Sequence, residues 1–192
     1  MHPFDFILLF FSFIYTVALT HILFAATRMI RHRRQLVFSW AHALWMGGVF
    51  LFLAVNWLSM WDLRTVATFD LEVITSNFIV VIGQYFICAL VAPDFEDGES
   101  YDLESFHRRE RRTYQGAFIV MMVAGVVINF EGASRYGIAA WGQQNLLAIP
   151  MMAAALAAFF IDRRWVQIGA PLVMIGLLIV DAVIYYPVLK SV

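Results

Sequence analysis

The sequence predicts an all-α polytopic membrane protein, a bundle of six transmembrane helices. Three observations predict it. Of 192 residues, 62% are hydrophobic and 14% are charged, against about 25% charged in ordinary soluble domains. Mean hydropathy is +0.76. Six stretches long enough to cross a hydrocarbon core of about 30 Å at about 1.5 Å per residue lack Asp, Glu, Lys and Arg, except that the last contains Asp181. No stretch alternates with period two at barrel-strand length, which argues against a transmembrane β-barrel. The composition also excludes a soluble globular domain, a disordered chain and a basic-patch binder of nucleic acid. The single Cys88 leaves no intrachain disulfide and no CxxC pair.

The first span, 6–27, is rich in Phe and Leu and runs into Arg28, Arg31, Arg33 and Arg34. No Lys or Arg precedes it, so it lacks the basic region of a signal peptide and is expected to insert uncleaved, N-terminus outward. The second span, 35–61, carries His42 and Asn56 on one stripe with Trp45, Val49 and Phe52, because fourteen residues at 100° each bring the chain nearly back to the same face. The third, 73–93, places Asn77, Gln84 and Cys88 on one face and stops at Pro93. Residues 94–112 read as a charged cytoplasmic loop, acidic first and then basic. Leu103 and Phe106 could seat a short amphipathic helix on the inner surface, and the acidic run lacks EF-hand spacing. The fourth span, 113–130, repeats polar and soft positions at Gln115, Met122 and Asn129. The fifth, 136–161, contains Pro150 and small-residue pairs between Ala153 and Ala158, a helix-packing device. The sixth, 165–189, carries Asp181 with Tyr185 one turn on.

Orientation follows from basic residues. Ten lie in the first, third and fifth breaks, and three, Arg64, Arg135 and Lys190, lie on the other side. The ten mark the cytoplasm, so the chain forms three hairpins turning there, with both termini outside. Short loops and the missing targeting segment point to a bacterial inner membrane. Trp57, Trp61, Tyr136, Trp141, Tyr185 and Tyr186 are expected at the outer interface, and Trp40, Tyr114 and Trp165 at the inner one.

Polar groups inside a membrane face the bundle interior or a cavity. His21, His42 and Gln84 fall at equal depth, roughly 10–12 Å from the cytoplasmic boundary for the two His at the helical rise. Asp181 and Asn56, with Asn129 and Glu131, form an outer layer that Arg64 or Arg135 could neutralise. The expected function is transport or channel activity, moving protons or a small ion through His21, His42, Gln84, Asn56, Asp181 and Tyr185 in an oligomer. Two alternatives differ in class. His21 and His42 could ligate one b-type haem, or the chain could be a non-catalytic subunit or sensor packed against other membrane proteins and lipid. No cofactor or metal is otherwise expected. No serine-elbow, HExxH or paired-aspartate motif marks an intramembrane enzyme.

Overall fold

A computed structural model describes residues 3–66, 68–94, 101–135 and 137–187. Six helices in it are each long and apolar enough to cross a membrane, and the chain is a multi-pass membrane protein. Tyr136, Lys190 and the end of the expected sixth span lie outside the described residues.

Helix α1 (Pro3–Arg31) buries Phe4, Ile7, Phe11, Tyr15, Ala18, Ile22 and Ala25, a repeat of three and four that defines one helical face. The expected second span begins later than its apolar run. Leu36–Val37 (β1) pairs in parallel with Tyr101–Asp102 (β2), and Ser39 then caps α2 (Trp40–Ser59) through the His42 N–H. Beyond Ser59 the helix tightens into a 3-10 turn, Met60–Thr65. Asp70 caps α3 (Leu71–Val91) through the Val73 N–H at 2.9 Å. The helix ends just before Pro93, as expected for a residue preceding proline.

Helix α4 (Leu103–Arg135) has 33 residues and is about 50 Å long at the helical rise. The segment read as loop is therefore helical from Leu103 onward. Asp102 starts it, accepting from the N–H groups of Glu104 and Ser105, both at 3.0 Å, and from the Ser105 hydroxyl. Those hydrogen bonds hold the Asp102 carboxyl below the usual carboxylate range. Leu103 is buried against Met29 and Leu36. Gly137, with φ +71°, sits in the turn to α5 (Ala139–Phe160), and α6 (Arg164–Tyr185) follows.

The helices alternate in direction. The ends of α1, α3 and α5 and the starts of α2, α4 and α6 meet at one end, called here the basic end. Arg28 pairs with Asp94 there at 3.2 Å, and Arg111 with Asp162 at 3.2 Å. At the far end Arg135 pairs with Glu72. Packing departs from three simple hairpins. The first helix lies mainly on α3, α2 lies mainly on α6, and the broadest contact joins α4 to α5 across the far-end turn. The core runs continuously between all six helices. The outward surface carries large apolar side chains such as Phe6, Phe13, Phe86, Phe160 and Val183, which a bilayer accommodates as water does not.

Candidate functional site

Five helices line a cavity of about 90 Å³, room for several waters. Each contributes a polar side chain: Asn56 from α2, Asn77 and Gln84 from α3, Asn129 from α4, Gln144 from α5 and Asp181 from α6. The amide nitrogens of Asn56 and Asn77 donate to the carbonyls of Phe52 and Val73 in the preceding turn, both at 2.9 Å. Their side-chain oxygens have no protein donor among the described residues. Asp181 is 5% exposed, and no hydrogen bond or ion pair to it is found among those residues. The lining therefore includes one carboxylate, two amides with unused acceptor oxygens and the Gln84 amide. Gln84 is 1% exposed, and the buried Tyr15 hydroxyl lies beside its amide.

From Gln144 a relay leads to the far end. Its nitrogen donates to the Tyr186 hydroxyl at 2.8 Å. That hydroxyl donates to Asp62 at 2.8 Å, and the Trp141 indole N–H donates to the same carboxylate oxygen at 3.1 Å. Asp62 sits in the 3-10 turn after α2, so one carboxylate ties three elements together.

A second polar cluster fills the basic end. Arg111 is 5% exposed and donates to the Ala158 carbonyl at 3.0 Å, besides its contact with Asp162. Gln167 donates to the carbonyls of Ala158 at 2.6 Å and Ile161 at 2.9 Å. These bonds serve carbonyls at the end of α5 that have no partner within their own helix. Buried Gln115 meets Gln167 at 3.0 Å. In its other amide orientation it joins the Ala158 carbonyl and the Trp45 indole at 3.2 and 3.3 Å. Tyr114 is fully buried, and its hydroxyl bonds His107 Nδ1 at 2.6 Å. Tyr114 is thus a core residue and not an interface anchor, as is Trp141 at 5% exposure.

The structure redistributes the expected site residues. Asn56, Gln84 and Asp181 come together on the one cavity, so Gln84 belongs with the outer group and not in an inner layer with the histidines. His21 is exposed and packs edge-on against Tyr85. His42 is 0% exposed, and its ring meets Phe106, His107 and Tyr114. No ring contact joins His21 to His42 among the described residues. His21 thus packs on α3 and His42 on α4. Tyr185 takes no hydrogen bond among those residues, and the phenol in the network is its neighbour Tyr186. Arg64 stacks over Trp61 at 4.9 Å and donates to its carbonyl, while Arg135 is taken by Glu72. Neither neutralises Asp181. Glu131 is exposed. No group of three His, Cys, Asp or Glu suited to a metal ion occurs among the described residues.

Sequence reasoning missed Asp62, Gln144, His107, Arg111 and Gln167. For α4 a signal existed. Leu103, His107, Arg111, Tyr114 and Phe118, spaced four, four, three and four, continue one buried stripe straight through the arginine run. Comparison with family models, curated proteins and solved structures finds no match to this chain.

Proposed function

We propose that this protein conducts protons or a small monovalent cation across a membrane, with Asp181 as the carrying group. The supporting observation is the cavity itself: a carboxylate without a cationic partner among the described residues lines it together with Asn56 and Asn77, whose nitrogens are spent within their own helices and whose side-chain oxygens have no protein donor there. Acceptor oxygens and a carboxylate suit a cation or a protonated water. A buried carboxylate in an apolar helix is costly and is retained where ions or protons move. Asp62, Tyr186 and Gln144 supply a hydrogen-bonded route from the far end.

In this reading the basic end is cytoplasmic, both termini face outward, the membrane is a bacterial inner membrane and the working unit is an oligomer. A bundle this small encloses little volume alone, so the cargo is narrow. The test is ion uptake into liposomes holding the purified protein, driven by a potassium diffusion potential. Uptake sensed by an internal pH dye, unaffected by swapping external sodium for choline, identifies protons. Uptake that requires sodium identifies the metal cation. No uptake of either above empty liposomes defeats the proposal and leaves an accessory subunit or sensor as the better account.

A further inference from the structure

At the basic end a pocket of about 350 Å³ opens between the starts of α2, α4 and α6. It is separate from the cation cavity and shares no lining residue with it. Three observations say what it takes. The first is charge at the start of α6. A helix N-terminus favours negative charge and leaves N–H groups to be satisfied. Here it begins with Arg163 and Arg164, with no side-chain cap and no acidic residue in the first turn. Asp162 lines the same opening, and its carboxylate is engaged by buried Arg111. Arg108 of α4 and Arg164 of α6, both exposed, line the same opening.

The second observation is a buried donor or acceptor without a partner. His107 is 3% exposed and lines the pocket. Its Nδ1 is bound to Tyr114, on the inner side of the ring. Nε2, on the opposite ring edge, is buried and has no hydrogen bond. Gln167 stands beside it but spends its nitrogen on two α5 carbonyls and its oxygen on Gln115. An oxyanion drawn between the two guanidinium groups would give this nitrogen the acceptor it lacks once the ring turns toward the opening. The third is the rim. Phe38 and Trp40 stack edge to face with centroids 5.0 Å apart, and are 49% and 64% exposed. Aromatic rings of this kind mark the headgroup level of a bilayer.

We propose that the pocket binds the phosphate of a membrane phospholipid headgroup, held by Arg108, Arg164 and His107 Nε2, with the glycerol end against Phe38 and Trp40. Exposed Glu104 lines the same pocket, where the amine of an ethanolamine headgroup would meet it. A basic pocket between helix ends at the membrane boundary is where phospholipid headgroups are recognised. The proposal does not depend on the cation pathway.

The test is thermal unfolding of the purified full chain in detergent, with three additions: short-chain phosphatidylethanolamine, diacylglycerol of the same chain length, and inorganic phosphate. Binding to the folded state raises Tm with ligand concentration. The phospholipid is expected to raise Tm by several degrees and diacylglycerol not at all. The rise should be lost in the Arg108→Ala, Arg164→Ala double variant and kept in Arg33→Ala, Arg34→Ala, which removes the same charge from an exposed loop. Equal stabilisation by inorganic phosphate would identify a free-phosphate site and overturn the lipid assignment. A rise of the same size with diacylglycerol, or one that survives the Arg108/Arg164 change, or no rise in any arm, would overturn the site.

Discussion

Replacing Tyr186 with Phe removes a hydroxyl that donates to Asp62 and accepts from Gln144. Hydrogen bonds to charged groups contribute about 1.5–3 kcal/mol and neutral ones about 1 kcal/mol. Asp62 keeps the Trp141 indole, so the net loss is expected near 2 kcal/mol. In a chain of this length that lowers Tm by roughly 4–8 °C, read by thermal unfolding in detergent. Tyr185→Phe, one position away, removes no hydrogen bond among the described residues and should stay within about 0.5 kcal/mol of wild type. Equal effects of the two variants would refute the relay drawn here. Arg111→Ala is predicted to cost about 1–3 kcal/mol, less than the usual penalty for breaking a buried pair. The reason is that Asp162 is 67% exposed and rehydrates, while Gln167 still serves the Ala158 carbonyl. A neutral Arg111→Ala would show that the α4–α5 joint is held by packing alone.

Among the elements, α4 separates what the sequence reveals from what it hides. All six spans were legible, because burying about 20 apolar residues in lipid leaves a signal that no local detail can mask. Element ends were less so. The start of α2 is set by pairing of Leu36–Val37 with a strand 65 residues away, which periodicity cannot register. The first third of α4 was hidden by its arginines, which read as a topology signal and obscured the stripe through His107 and Arg111. Asn56, Gln84 and Asp181 were found because polar residues in apolar spans stand out. Asp62, Gln144 and Tyr186 were not, since at a span end they look like ordinary interface residues. Equal depth placed His21 beside His42 in the sequence reading, but depth says nothing about which way each helix faces: His21 packs on Tyr85 of α3 and His42 on rings of α4.

Two predictions belong to this scale. Asp102→Ala should speed amide hydrogen exchange over the first turns of α4 at neutral pH. The Asp102 carboxyl is held below its ordinary value in the fold, so its capping is fully present above the unfolded value and fades as pH falls through the lowered one. The difference between variant and wild type should therefore close on acidification, and a difference that persisted unchanged would assign the effect to something other than the ionised cap. The second concerns small residues. A Cβ at Gly132 would run into the Trp141 ring, whereas one at Gly47 meets nothing within 4 Å. Gly132→Ala is expected to destabilise by about 1–3 kcal/mol through overpacking. Gly47→Ala should be neutral or stabilising by up to about 1 kcal/mol, from reduced chain entropy. The reverse order would mean that α4 and α5 are not packed as described.

For the whole molecule the account turns on one arrangement: Asn56, Asn77 and Asp181, from separate helices, line one cavity inside a bundle whose outer surface is apolar. Helix glue would explain each polar group singly, since an interhelical hydrogen bond contributes about 0.6 kcal/mol in membrane bundles. It does not explain why the Asn56 and Asn77 amides spend their nitrogens within their own helices and bond no other helix, or why Asp181 lines the same cavity without a hydrogen-bonding partner among the described residues. The deciding measurement is ion flux in proteoliposomes for wild type, Asp181→Asn and Asp181→Glu, prepared at equal protein density and checked for equal Tm and oligomer size. The account predicts that Asp181→Asn, which keeps the shape of the side chain but cannot carry charge, falls at least tenfold, about 1.4 kcal/mol in barrier, and that Asp181→Glu retains measurable flux. Wild-type flux in Asp181→Asn would contradict it.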